Sequence, residues 1–350
     1  MKKYSKIGQL SSIVKNLIMS RQFVGYDEAG APIFDRNLPL GKQKFIGTVK
    51  THGTNAGVRH CVEGDELKFQ SREHYITPLN DNAGFAFFAK SKEITFKKMF
   101  SDIRARYEKL SGQSIADRDL IVFGEWVGKG IQKGVAVSEI EKTFLIFDIC
   151  IPSDDEEKTV YLDMRLFGDI CSAGDRIFNV WDARKFPIYE VEMDLEHPAL
   201  VQNTIIAYTD EVEQKCPVGA YFGVIGYGEG VVWRSADEPK AYMFKVKGEK
   251  HSKSKVKKTN LVDVEHLNSV GEFVERFCDE ERLEQAYQKM AELGHPYERS
   301  TIQHFIRWII SDIIEEEIEA MTESKIEPKD FGGPIGKKAS KWFIERIEQL

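Results

Sequence analysis

The chain has 350 residues, of which 42% are hydrophobic and 30% charged, and a net charge of −7. This is an ordinary soluble globular balance with room for about two domains; no apolar run is long enough to cross a bilayer, and the N-terminus lacks a signal-peptide core. Five scattered cysteines without a Cys-x-x-Cys pair exclude a disulfide framework and structural zinc, and they place the chain in a reducing compartment such as the cytoplasm.

Residues 44–62 read as two extended runs around a turn at Gly53. The first run, Phe45-Ile46-Gly47-Thr48-Val49, leads into Lys50-Thr51-His52-Gly53-Thr54-Asn55. A free lysine has a pKa near ~10.4 and is almost fully protonated at neutral pH. Burial or neighbouring positive charge turns it into a nucleophile. Alone, the stretch reads first as a solvated strand end, so partners elsewhere must decide. Leu67 to Arg72 forms a third extended run after the Glu63-Gly64-Asp65 turn. Residues 93–110 have helical spacing through Ile94, Phe100, Ile103 and Tyr107.

Asp119 to Val127 and Phe144 to Ile151 are apolar strand candidates, separated by a loop containing Gly128, Gly130 and Gly134. The first strand carries Glu125. A charge buried there without a partner is costly, so Glu125 meets a ligand, a cation or cleft solvent, or lies at an exposed strand edge. The second carries Phe144 and Phe147, which either fill a core or stack a nucleobase, an interaction of ~1–3 kcal/mol per base. Residues 164–174 and 196–215 read as surface helices, the second ended by Pro217.

Glu229 to Arg234 and Tyr242 to Lys247 are two further strands. The glycines before Glu229 lack a P-loop lysine and open no helix, which excludes a Walker or Rossmann site. Glu229 could hold a hydrated Mg²⁺. Strand alternation puts Lys245 and Lys247 on one face. They repel unless anions lie between them, and a polyphosphate is the natural counter-ion; an exposed strand with two snorkelling lysines is the alternative.

Beyond Asn260, helical spacing takes over, as in Ile302, Phe305, Ile309 and Ile313, and Gly332-Gly333-Pro334 breaks the last helices. The expected organisation is a mixed α/β domain over 1–248, a lysine-rich linker over 249–260, and a helical domain over 261–350. Residues 261–350 sum to −9, leaving +2 for residues 1–260.

Lys-x-His-Gly-Thr-Asn, Phe-Gly-Glu, Phe-Asp-Ile, Glu-Gly-Val-Val and Lys-Val-Lys follow one another at domain-scale spacing. This ordered set resembles the covalent nucleotidyltransferases: DNA ligases, RNA ligases and capping enzymes. The Lys50 hexapeptide, with Val122 to Gln132, is similar to the RNA ligase 2 family of bacteriophage and kinetoplastid RNA-editing type. The resemblance covers roughly residues 44–258. It implies an α+β fold, an antiparallel-sheet adenylation domain followed by a small all-α C-terminal domain.

The same resemblance implies that Lys50 takes AMP from ATP, with Mg²⁺ or Mn²⁺ as the metal. Arg72 matches an arginine that engages nucleotide and RNA end. Glu125 matches the ribose contact and Phe147 the aromatic on adenine, with Phe144 as fallback. Glu229 matches the metal-linked and nucleotide-linked glutamate, and Lys245 and Lys247 the phosphate-contacting pair. His52, Asn55 and Arg234 match supporting positions. The implied substrate is RNA with 5′-phosphate and 3′-hydroxyl ends, free or across a nick, in an RNA-repair role and, for a viral chain, in the host cytoplasm. A DNA ligase and a non-catalytic RNA-binding module are the alternatives. A capping enzyme fits less well, since the tail reads as helical where an OB-fold is expected. The acidic tail suits a protein partner that the sequence does not name.

Overall fold

The computed structural model describes residues 1–155, 158–237, 242–248, 270–324 and 326–348. The chain divides into two compact units, Met1–His251 and Ser252–Leu350. The lysine-rich stretch 249–260 lies outside the described residues. No helix among the described residues is long and apolar enough to cross a membrane.

The first unit opens with α1 (Leu10–Gln22) and a small hairpin, β1 (Phe23–Tyr26) and β2 (Pro32–Phe34). Four strands follow: β3 (Lys42–Lys50), β4 (Thr54–Cys61), β5 (Glu66–Ser71) and β6 (Tyr75–Ile76). Helices α2 (Phe85–Ser91) and α3 (Glu93–Ser111) lead to β7 (Leu120–Val127), β8 (Thr143–Ile151), β9 (Val160–Tyr161), β10 (Ile177–Asn179) and β11 (Ile188–Asp194). The unit ends with α4 (Gln202–Gln214), α5 (Pro217–Tyr221), β12 (Gly230–Ser235) and β13 (Met243–Lys247).

Two sheets carry the unit. The smaller runs β11-β3-β12-β13 and is antiparallel throughout. The larger runs β10-β8-β7-β4-β5-β6, with β9 on β8. It is antiparallel apart from the β8–β10 pair. The chain crosses from one sheet to the other in the turn Thr51-His52-Gly53, between β3 and β4.

Register sorts the smaller sheet into two unlike faces. Val49, Val231 and Val246 share one row, and Gly47, Trp233 and Phe244 the next. These rows are apolar, and Tyr208 of α4 covers them, 6.1 Å from the Trp233 ring. Burying each large side chain here contributes roughly 1.5–3 kcal/mol. The opposite face holds the rows Lys50–Gly230–Lys247, Thr48–Val232–Lys245 and Ile46–Arg234–Met243. A one-residue slip would bury the lysines and expose Trp233, so the apolar face fixes where the lysines point.

The larger sheet is sorted in the same way. Trp126 and Phe144 share a row and pack under α2 and α3, against Phe85 and, for Phe144, Phe96. Asn55, Glu125 and Leu145 form the adjacent row, which alternation puts on the other face. On that face Phe123 joins Tyr4, Val232 and Met243 in one cluster, so the polar faces of the two sheets look toward each other.

Two expected features differ. Residues 164–174 are not a helix but two short 3₁₀ turns, Met164–Leu166 and Ala173–Asp175. Asp163 accepts from the Arg165 amide, and the Ser172 hydroxyl donates to Asp175, so side chains favour local turns over a helix. Gly332-Gly333-Pro334 does not break the last helix, which runs unbroken over Pro328–Ile347. Phe331, Ile335, Ala339 and Phe343 bury one continuous stripe, and that packing outweighs the missing proline N–H.

The second unit is helical: α6 (Val270–Phe277), α7 (Glu280–Glu292), α8 (Ile302–Glu316), α9 (Ile318–Ser324) and α10 (Pro328–Ile347). Phe273, Phe277, Phe305, Phe331 and Phe343 dominate its core. Arg282 is buried at its side, donating to Glu317 at 2.7 Å and to the Phe277 carbonyl at 2.8 Å. It also lies 3.1 Å from Asp312. Arg282→Ala removes the guanidinium that pairs with the buried Glu317 carboxylate and is expected to cost about 3–5 kcal/mol in denaturant unfolding of the full chain. A loss below about 1 kcal/mol would contradict this role for the pair.

Candidate active site

The site is centred on a buried carboxylate. Glu229 immediately precedes β12, and its side chain is 4% exposed. Lys50 Nζ, at the end of β3, donates to Glu229 Oε2 at 2.6 Å. His52 Nδ1 lies 3.4 Å from the same oxygen, and Lys247 Nζ lies 3.8 Å from Oε1. Burial pushes the Glu229 pKa up, but Lys50, His52 and Lys247 outweigh it and hold the carboxyl well below the usual carboxylate range.

Gly230 makes this convergence possible. It pairs with Lys50 on one side and Lys247 on the other. Its φ is +146°, and a Cβ there would sit 2.1 Å from the Val246 carbonyl oxygen. Glycine alone fits that backbone, which delivers Glu229 between the two lysine-bearing strands. Lys245 lies one row further along the same face, with Thr48 and Val232.

The turn after Lys50 is tied to the larger sheet. The Gly53 amide donates to Glu125 Oε1 at 3.1 Å, and Gln132 Nε2 donates to the Gly53 carbonyl at 3.3 Å. A Cβ at Gly53 would lie 2.3 Å from the Trp126 carbonyl oxygen, so the turn passes directly against β7. Asn55 stands beside Glu125 in the register, and its buried Oδ1 has no hydrogen-bond partner among the described residues. Arg72 directly follows β5 and is half-buried.

Phe147 is half-buried in β8 at a bulge: Phe123 pairs with Asp148 and Gly124 with Ile146, so Phe147 has no partner across β7. Bulges re-aim side chains, and here the ring packs edge-on against Tyr4, with centroids 4.8 Å apart. Phe144, the fallback for base stacking, is fully buried under α2 and α3 on the other face, so it cannot meet a ligand in this cleft.

Arg234 is the third residue expected at a supporting position. It is 4% exposed. Its guanidinium donates to the Phe147 carbonyl at 3.0 Å and to the Tyr4 hydroxyl at 3.2 Å. It lies over the Trp181 ring at 5.3 Å and 3.8 Å from Asp148. The arginine is therefore committed inside the protein rather than presented to a ligand.

Lys50, His52, Glu229 and Lys247 thus converge directly. Lys245 shares their face, and Glu125 joins through the Gly53 turn. Sequence reasoning gave no site role to Gln132, Gly230 and Asp148, although they lie inside the motifs that carried the resemblance, and it passed over Tyr4. Asp148 carried a usable signal, a carboxylate in an apolar strand, the same one that marked Glu125. Tyr4 carried none, because its partners lie in β8 and β12, far along the chain.

No group of three or more His, Cys, Asp or Glu side chains that could hold a metal occurs among the described residues. A divalent ion at this site would take most of its oxygens from phosphate and water, with Glu229 as the protein carboxylate, an arrangement that suits Mg²⁺.

No curated protein matches the chain. Among solved structures, a substituted Naegleria gruberi RNA ligase with AMP and manganese is 18% identical, with a TM-score of 0.42, over 72% of this chain and 57% of its own. Another substituted form with ATP and manganese is 19% identical over the same shares, also with a TM-score of 0.42. The chain therefore spans 57% of the length of these structures. The sequence profile of the RNA ligase family matches residues 43–247, from the second residue of β3 to the end of β13. That match takes in both lysine-bearing strands and more than half of the 350 residues, and the chain belongs to the RNA ligase family.

Proposed function

We propose that this protein is an ATP-dependent RNA ligase of the RNA ligase 2 type, which joins 5′-phosphate and 3′-hydroxyl RNA ends through lysyl-AMP on Lys50. The observation that carries this reading is the cluster in which Lys50 and Lys247 converge on buried Glu229, with Lys245 on the same face. A single lysine against a glutamate is a common ion pair. Three lysines on the polar face of one sheet make a site for a polyphosphate.

The reaction follows in three steps. Lys50 Nζ attacks the α-phosphorus of ATP; a P–N bond forms, the P–O bond to pyrophosphate breaks, and the amine loses its proton. AMP then passes to an RNA 5′-phosphate, releasing the lysine. The RNA 3′-hydroxyl attacks that activated end, and AMP leaves. Two covalent transfers give the phosphate a good leaving group, which it lacks by itself.

Each residue has a part. Attack requires the free amine, so Lys50 leaves its ion pair with Glu229 as nucleotide enters. Lys245 and Lys247 provide fixed positive charge for the phosphates. Glu125 holds the turn that carries His52 and faces the ribose. Phe147 offers its ring to the adenine. His52, Asn55 and Arg72 serve the nucleotide and the RNA end. Glu229 would hold a Mg²⁺ or Mn²⁺ ion, and such an ion would supply neutralisation of phosphate charge. The role is in RNA repair, in the cytoplasm of the cell or of a viral host, and the acidic helical unit is left to engage a protein partner.

Incubation with α-labelled ATP and a divalent metal is expected to label the full chain, with the label lost in Lys50→Ala. Lys247→Ala is expected to slow labelling by about 10²–10³-fold. Label retained in Lys50→Ala, or none in wild type, would contradict the proposal. Sealing of nicked RNA, single-stranded RNA and nicked DNA distinguishes the substrates, and sealing of DNA alone would favour a DNA ligase.

The carboxyl of Glu229 is depressed in the folded state, so its contribution is present above the ordinary carboxylate pKa and is lost as pH falls through the folded value. The difference in thermal midpoint between wild type and Glu229→Gln is expected to stay constant above about pH 5 and to shrink only in stronger acid. A difference that fades between pH 8 and 6 would place the controlling titration elsewhere.

A further inference from the structure

The N-terminal segment before α1 is absorbed by neither the fold motifs nor the proposed chemistry. Yet within eight residues it touches both sheets. The Lys2 carbonyl accepts from Gln70 Nε2 of β5 at 2.8 Å. Lys3 pairs with Glu73 at 2.6 Å. The Tyr4 hydroxyl donates to Asp148 Oδ2 of β8 at 2.8 Å and accepts from Arg234 of β12 at 3.2 Å. The Gly8 amide donates to the Met243 carbonyl, and the Lys245 amide donates to the Gly8 carbonyl, both at 3.1 Å. The segment therefore extends the smaller sheet beside β13 and anchors in the larger one.

The ring of Tyr4 packs on the side of β7 and β8 that carries Glu125. The Tyr4 ring meets Phe147 at 4.8 Å and Phe123 at 5.1 Å. Phe147 sits at a bulge, so the ladder does not fix its ring. Its carbonyl is held by Arg234 at 3.0 Å and by Trp181 Nε1 at 3.1 Å. Its ring is held on one edge by Tyr4. The same tyrosine hydroxyl joins Asp148, the residue after Phe147 in β8, to Arg234 of β12, the strand that pairs with β3.

We propose that Tyr4 is a positioning residue for the nucleotide: from the N-terminal segment it sets the Phe147 ring of β8 against the lysine face of β3, β12 and β13, and so fixes ATP affinity. This rests on the reading of the cleft as the ATP site. Tyr4 itself touches no reacting atom. It acts through Phe147 and through the alignment of the strand that carries Lys245.

The test uses the full chain as wild type, Tyr4→Leu and Tyr4→Phe. Initial rates of lysyl-AMP formation are measured over a range of α-labelled ATP, with thermal midpoints recorded alongside. Tyr4→Leu removes the ring and the hydroxyl, and is expected to raise the KM for ATP about tenfold while the saturated rate stays within about threefold. Tyr4→Phe keeps both ring contacts and loses the Asp148 and Arg234 bonds, so a smaller rise, about threefold, is expected. If Tyr4→Leu does not fold, Tyr4→Phe decides by the same criterion. An unchanged KM, with only a lower active fraction or thermal midpoint, would reduce Tyr4 to a structural residue and overturn the proposal. Wild type that takes no label would overturn the ATP-site reading and this proposal with it, whereas labelled wild type with unshifted variants overturns this proposal alone.

Discussion

One buried carboxylate organises the candidate site. Glu229 is nearly sealed from solvent, and such a charge is tolerated only where cations surround it. Lys50 and Lys247 meet that need, with His52 Nδ1 3.4 Å from the same carboxylate. Removing any one cation leaves the others to hold a charge that water cannot reach. The same carboxylate keeps two lysines close although they repel each other. On the proposed function, a nucleotide entering this place would find its counter-charges already assembled, which is the physical content of preorganisation.

The arrangement depends on strand alternation more than on any single contact. The apolar rows led by Trp233 and Phe244 must face α4, so the rows bearing Lys50, Lys245 and Lys247 must face the other sheet. The larger sheet obeys the same rule: Trp126 and Phe144 go under α2 and α3, and Asn55 and Glu125 go to the cleft. Gly53 and Gly230 are the two places where backbone passes too close for a side chain. They let the chain cross between the sheets and bring Glu229 in between the lysines.

Much of this was legible because it depends on local pattern. The strand ending at Lys50 and the alternation of Lys245 and Lys247 appear directly in the sequence, and the helical tail appears in its spacing. The turns at 164–174 were not legible, since side-chain caps there compete with helix at short range. Pro334 misled in the opposite direction, because a buried stripe of four residues overrode a local breaker. Arg234 and Phe144 became candidates through the family resemblance, one at a supporting position and the other as the fallback for base stacking. Burial and long-range partners assign them to the interior, and neither property is written in the neighbouring residues. Tyr4 is the extreme case, since its role exists only once β8 and β12 lie beside it.

The central claim is that this cluster makes Lys50, and no other lysine, the residue that accepts AMP. Peptide mass spectrometry on the full chain after incubation with ATP and Mg²⁺ tests it directly. The account predicts one AMP adduct, on the peptide containing Lys50, with none on peptides containing Lys245 or Lys247. An adduct on either of those lysines, or on another peptide with Lys50 unmodified, would contradict it.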